Sequence, residues 1–495
     1  TASAPTAGPG AQDGPRVAVV GTGVAALMCA RTLAKMVRAA GPPLRGARVT
    51  LCTSRGKLAT QVGPKKQTAP QPGKPFFDYG CQYFTASDDW FAEEVERWAS
   101  LGACQPLPAG AIGTLSRDAG FAPCAGGKCW VGNGGMGPML DRLIEHTARE
   151  FDDVLELVSG FPNVNAKVES LEKRAAGWVL RTKGRSELGP FDFVIGGFAQ
   201  HVLTDPFLKS GGAASERMLR CLQRVESNQL IPIQVSFEGD ALPMDFIAAH
   251  VYGEESLSWI CNNSAKPQQN GRWGTPGQQH LTLLSTAAFA EREFNCNPKG
   301  YKGTAEKSML SAMARVLGVE SLAKHRPRIN RINHWEDGLA CNTPPASRKC
   351  LLDVDVGLGW CGDFCVSPGL QGAALSGRAM AEVLAESICV GAAFDRAGLL
   401  PADEAWPRIG AGETGDTLLD MGAFSPALGL RAHLTHTDLV PSAVGGYDVA
   451  AHTGAAGKPA GGGDSGHGKG KGKGKGAGKG KRAPGRGYSG GRHGA

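Results

Sequence analysis

Gly21, Gly23 and Ala26, in the run Gly21-Thr22-Gly23-Val24-Ala25-Ala26, have the types and spacing that let a chain wrap a pyrophosphate. The first glycine permits a tight turn, the second lets a phosphate approach the backbone, and a small third residue lets helix pack closely on strand. An apolar run at 17–20 precedes the loop, and a helix-like stretch to about residue 37 follows it. In that setting the unpaired N–H groups of the helix start face the phosphates. The string alone decides little. Gly472-Lys473-Gly474-Lys475-Gly476-Ala477 matches it too, with no strand before it and no helix after it. A Gly-rich turn in some other α/β domain is the competing reading of the first loop.

A second candidate is Asp363. The run Leu358-Gly359-Trp360-Cys361-Gly362-Asp363 reads as a short strand ending in an exposed acid, and residues 369–384 begin with small residues and continue with helical periodicity. In a flavoprotein such an acid bonds a ribitol hydroxyl, and the helix start offers positive potential to the ring of a reduced flavin. A solvated Asp in a turn is the plainer alternative.

The elements that must position these residues follow from patterning. Residues 1–15 are rich in Ala, Pro and Gly and read as a disordered leader. Residues 48–52 read as a second parallel strand, 63–75 as a surface insertion and 88–101 as a helix. The run 130–143 reads as a Gly-rich loop leading into a helix. Strands at 167–173 and 178–182, with Ala175-Ala176-Gly177 at the turn, form a hairpin, and a buried strand follows at 191–195. Apolar alternation at 230–237, 250–260 and 280–285 predicts a mainly antiparallel sheet, 307–317 a helix, and a return to strand-then-helix grammar near 358. Beyond about 391 the sequence loosens, and from about 454 it is low-complexity Gly and Lys.

At 495 residues the chain exceeds what one core supports, so two domains with extensions are expected. The formal net charge is +7, but residues 455–495 hold seven Lys, three Arg and one Asp, a net of +9 that leaves −2 for residues 1–454. The basic character belongs to the tail, and the body has no general bias toward nucleic acid or anionic membrane. Fourteen cysteines lie scattered without a CxxC pair, which reads as reduced, mostly buried thiols rather than disulfides or a metal site. No apolar stretch approaches the roughly 20 residues of a membrane-spanning helix. Thr at position 1 suggests a missing N-terminal segment, which leaves targeting open; a soluble intracellular protein is the expectation.

With four segments read together, the chain resembles the renalase-like FAD-dependent oxidoreductases of the flavin amine oxidase superfamily. The segments are the Gly21–Ala26 loop; Phe77-Asp78-Tyr79-Gly80-Cys81-Gln82-Tyr83-Phe84-Thr85; Trp130-Val131-Gly132 with Gly135-Met136; and Gly362-Asp363 followed by Gln371-Gly372-Ala373-Ala374-Leu375-Ser376-Gly377. Their order and spacing match over about residues 15–390. The resemblance implies an α/β fold. Its doubly wound, Rossmann-like FAD-binding domain would be built from discontinuous segments (16–87, 125–205 and 346–391), with a mainly antiparallel substrate domain (88–124 and 206–345), an irregular extension (392–453) and a disordered basic tail (454–495). It implies FAD on Gly21, Gly23, Val24, Ala25 and Ala26 at the pyrophosphate, Lys57 on the phosphate side, Val168 at the adenine, and Gly362, Asp363, Gln371, Gly372 and Ala373 at ribitol and flavin. Gln82 and Tyr83 would lie near the ring, and His334 and Trp335 are the remaining candidates for chemistry. No metal site is implied.

The sequence departs from the family where the second strand should end in an acid that grips the adenosine ribose: it has Cys52-Thr53-Ser54. Thr53 or Ser54 would substitute in part. The expectation is an oxidoreductase taking a hydride from a small amine or dihydronicotinamide-type substrate, with oxygen as acceptor. Two readings of other classes stand beside it: a flavoprotein fold without FAD acting as a binding scaffold, and a protein whose working part is the 454–495 tail, tethering RNA or another polyanion. Oligomeric state is not indicated.

Overall fold

The computed structural model describes residues 14–53, 60–62, 75–78, 80–124, 128–159, 166–198, 201–267, 277–345, 348–401 and 405–409. The start of the expected leader, Ser54, Lys57, most of the 63–75 insertion and everything from residue 410 lie outside them. The chain divides into one compact unit, Thr1–Ser442, and a second, Ala443–Ala495, which is among the residues not described.

Val17, Ala18, Val19 and Val20 are apolar without alternation because the Arg16–Val20 strand is buried on both faces, as strands of covered parallel sheets are. It pairs in parallel with Arg48–Thr53 on one side and Phe193–Gly196 on the other. The full six-stranded sheet runs Leu155–Ser159, Arg48–Thr53, Arg16–Val20, Phe193–Gly196, Leu358–Trp360, Leu351–Asp353, with only the last strand antiparallel. Val17 and Val19 face a layer of helices, including Val24–Ala39, Met136–Glu150 and Leu370–Val390. Ala18 and Val20 face the three-stranded antiparallel sheet Val168–Arg174, Gly177–Thr182 and Glu187–Phe191, with the helices His201–Lys209 and Glu216–Leu222. This is an α/β, Rossmann-like architecture assembled from separated stretches of chain. The strand expected at 191–195 is two strands in two layers. Asp192 makes the break, its N–H donating to the Arg16 carbonyl and its carboxylate accepting from the Arg16 N–H.

The second sheet has seven strands, in the order Pro327–Ile332, Pro232–Phe237, Gln279–Leu284, Trp259–Asn262, Ala248–Tyr252, Ile112–Ser116, Gly120–Pro123. All pairs are antiparallel except Ala248–Tyr252 with Ile112–Ser116. The 250–260 stretch is a hairpin, turned where Gly253 takes φ 76°. Ile233, Val235, Leu281 and Leu283 face the helices Ala287–Cys296 and Tyr301–Val316 in one apolar cluster. The opposite face carries Gln234, Ser236, His280 and Thr282, all buried. Its polar groups are tied to the rest of the molecule. Ser236 Oγ meets His280 Nδ1 at 2.9 Å, Thr282 donates to the Asp78 carbonyl at 2.8 Å, and Lys266 Nζ pairs with Asp78 Oδ2 at 2.9 Å. Asp78 Oδ1 in turn accepts the first N–H of the Met136–Glu150 helix at 3.1 Å.

All fourteen cysteines are free thiols, eight of them buried. Among the described residues no group of three His, Cys, Asp or Glu is placed to hold a metal ion, and no helix is long and apolar enough to cross a membrane.

Candidate functional site

The carboxyl ends of the parallel strands open on a cavity of about 800 Å³, within the usual range for a cofactor or ligand site. The Arg16–Val20 strand delivers Val20, Gly21, Thr22, Gly23, Val24 and Ala25 to its wall. Gly21 is required there by close approach: a Cβ on it would stand 2.8 Å from the Ala26 Cβ and 3.2 Å from the Gly197 carbonyl oxygen. Ala26 is not in the wall. It is fully buried behind the loop, where it brings the Val24–Ala39 helix against Gly197. The helix start has no side-chain cap and no acidic residue in its first turn, so its N–H groups are left for an anion.

The neighbouring strand end supplies Cys52 and Thr53. Burial pushes the Cys52 thiol up to about 12, which keeps it neutral and unreactive. Thr53 is buried, and its hydroxyl has no hydrogen-bond partner among the described residues. Lys167, Val168 and Glu169 line the same cavity from the three-stranded sheet.

Gly362 and Asp363 follow the Leu358–Trp360 strand into the wall, with Gly369, Leu370 and Ala373 at the start of the Leu370–Val390 helix. Asp363 is half-buried rather than exposed. Its carboxylate accepts Phe364 N at 2.9 Å and Gly369 N at 3.4 Å. Desolvation raises its pKa, while these backbone N–H groups oppose the rise. Gly369, the residue before the helix, takes φ 134°, which a side chain would resist.

Two expected ligands belong elsewhere. Gln371 does not line the cavity: its Oε1 accepts Ser87 N (2.7 Å) and Asp88 N (3.1 Å), and its Nε2 donates to Ser87 Oγ. It anchors the approach to the Asp89–Ser100 helix. Gly372 is a packing glycine, since a Cβ on it would stand 1.9 Å from the Ser367 carbonyl oxygen.

The candidates for chemistry divide. Trp335 lines the cavity, on a ribbon in which Leu230 bridges Trp335 and Ser227 bridges Ala340. His334, its neighbour, does not. It stacks on Phe294 with centroids 3.2 Å apart and meets Gln229 Oε1 at 3.3 Å, and desolvation lowers its pKa. Gln82 and Tyr83 are buried beside the seven-stranded sheet, away from the cavity wall. Gln82 Oε1 accepts Trp259 Nε1 at 2.8 Å, and the Tyr83 ring stacks on Trp259 at 5.7 Å. Gly80 and Cys81, earlier in the same run, line the cavity instead. Ser54 and Lys57 lie outside the described residues. Lys167, Glu169, Gly197, Phe198 and Ser227 are wall residues that sequence patterning gave no sign of, whereas Asp337 falls in the acidic run 333–337 beside Trp335.

No family model matches the chain. Among solved structures it is similar to a putrescine oxidase triple variant redesigned for cofactor binding (12% identity, TM-score 0.48, covering 75% of this chain and 98% of that one). It is also similar to a cyclohexylamine oxidase from Brevibacterium oxydans (11%, 0.46, 76% and 99%) and to a reduced UDP-galactopyranose mutase (11%, 0.45, 76% and 93%).

Proposed function

We propose that the protein is an FAD-dependent oxidoreductase that accepts a hydride from a small amine or dihydronicotinamide-type substrate, with oxygen as electron acceptor. The observation that carries this reading is the shared cavity. One wall holds a glycine loop with an uncapped helix start, another holds Gly362, Asp363 and a second uncapped helix start, and the space between them suits a dinucleotide. The residues fit the cofactor. Gly21, Gly23, Val24 and Ala25 would hold the pyrophosphate, Thr53 and Val168 the adenosine side, and Gly362, Asp363 and Ala373 the ribitol and ring. Bound flavin would supply the hydride acceptor. The chain's own part is to orient, to exclude water and to shape the field: Trp335, Leu339 and Phe198 give the wall apolar surface, and Asp337 places a carboxylate beside them. A protein base is not needed for this chemistry. His334 is already engaged with Phe294 and Gln229.

The strand end without a carboxylate at Thr53 favours one other reading, a scaffold of the same fold that carries no flavin. The absorption spectrum of the purified protein separates the two. Flavin bands near-stoichiometric with polypeptide, released on denaturation because the linkage is noncovalent, are the expected result. A colourless protein that takes up no FAD on reconstitution would establish the scaffold. We read the Gly/Lys segment at 454–495, from its charge and composition, as a polyanion tether.

A further inference from the structure

Resting on the flavin reading above, we propose that the adenosine ribose of the dinucleotide is held by Thr53 together with Glu169, a carboxylate that a β-bulge delivers to the cavity in place of the missing strand-end acid. A ribose with free 2′- and 3′-hydroxyls offers two adjacent O–H donors. In dinucleotide-binding folds a carboxylate at the end of the second strand accepts them. Here that strand ends in Thr53. Thr53 is a residue of the cavity wall, and its hydroxyl is buried beneath that wall without a partner among the described residues, a state that calls for a ligand or water.

Glu169 reaches the cavity through a local irregularity of the hairpin. Val168 pairs with Thr182 and Ser170 with Arg181, so two steps on one strand match one on the other and Glu169 is the extra residue. In a regular strand Val168 and Glu169 would point to opposite faces. A bulge re-aims a side chain, and Lys167, Val168 and Glu169 all line the cavity. The same cavity is lined by Val20, Gly21, Cys52 and Thr53, so the bulge and the strand ends that carry the glycine loop and Thr53 open on one space.

Of the carboxylates in the described wall, Asp363 is engaged by two backbone N–H groups and Asp337 lies on the Trp335 ribbon. Among the described residues Glu169 has a loose ion pair with Lys167 at 3.9 Å, and both side chains remain substantially exposed, so it can turn toward a diol. A carboxylate at this position accepts hydroxyl groups and repels a 2′-phosphate. The preferred ligand is therefore an adenine dinucleotide with an unmodified adenosine ribose.

The test is titration of FAD, and of its analogue with 2′-deoxyadenosine, into apoprotein of the wild type, Glu169→Ala and Thr53→Val, read by flavin fluorescence, with far-UV circular dichroism reporting the fold. Glu169→Ala is expected to weaken FAD binding about tenfold. The deoxy analogue is expected to lose affinity on the wild type but little further on Glu169→Ala, because both changes remove the same contact. Thr53→Val should give a smaller loss. Wild-type and Glu169→Ala proteins with equal FAD affinity, or an undiminished penalty for the deoxy analogue on Glu169→Ala, would overturn the assignment alone. A wild type that bound no FAD would overturn the flavin reading and this assignment with it.

Discussion

Asp363 and His334 show at the residue scale how differently two chemically able side chains are used. Asp363 lines the cavity, whereas His334 is packed on Phe294 outside it. Asp363→Ala should therefore lower bound flavin tenfold or more, while His334→Ala leaves it near the wild-type level. The flavin-to-protein absorbance ratio after gel filtration checks this, and equal ratios in both folded variants would remove Asp363 from the site. His280 gives a second test. Desolvation lowers its pKa to about 4 from the ordinary 6.5, against a weaker opposing pull from Glu238. Between those values the unfolded chain binds the proton and the folded one does not. Stability should therefore be unaffected above about pH 6.5 and fall as pH drops toward 4, by up to roughly 3 kcal/mol. Denaturant midpoints across this range should separate the wild type from a flatter His280→Gln profile. The strand, turn and helix start around the glycine loop and around Asp363 were legible in the sequence because those elements are local. Gln82 and Gln371 were not. A buried amide that anchors structure has the same letters as one that binds a ligand, and their partners Trp259 and Ser87 lie 177 and 284 residues away.

Among the elements, the helices Val24–Ala39 and Leu370–Val390 meet face to face, and the small residues at their contact set how close they come. A Cβ at Gly377 would stand 2.1 Å from the Ala25 carbonyl oxygen, an atom of backbone that cannot turn aside. Gly377→Val should force the helices apart and lower stability by about 1–3 kcal/mol or more, with the glycine loop displaced in consequence. Gly303, near the start of the Tyr301–Val316 helix, is the control, since a Cβ there meets nothing within 4 Å. Gly303→Ala should raise stability by about 0.5–1 kcal/mol through helix propensity. Thermal midpoints of the two apoproteins check both signs. The expected helices and the 167–182 hairpin are present because apolar period and capping are written locally, as when Asp88 accepts Phe91 N at the start of Asp89–Ser100. The break at Asp192, the bulge at Glu169 and the parallel pairing of Ala248–Tyr252 with Ile112–Ser116 depend on which strand lies alongside, and local pattern does not encode that.

For the first unit as a whole, the large apolar cluster includes residues of both large sheets, and the most demanding polar contact buried beside it is the pair of Lys266 with Asp78, their side chains 1% and 0% exposed. Lys266→Met would leave Asp78 charged without its partner and should destabilise the protein by about 3–5 kcal/mol, measured by denaturant unfolding. The charge of the chain is distributed in the opposite manner, with +9 on residues 455–495 and −2 on the remainder. A positively charged segment in which Gly alternates with Lys neutralises phosphates without reading sequence, so its binding to RNA or heparin should weaken steeply as salt rises. The glycine loop, Thr53, Glu169, Asp363 and Trp335 all lie within the first compact unit, and the Gly content of 455–495 gives the tail no fixed site of its own. Truncation after Gly454 should therefore leave flavin content and turnover unchanged while abolishing retention on heparin at low salt. Lost turnover would mean that the tail completes the active site. Retained heparin binding would place a basic patch on the body that its net charge of −2 conceals.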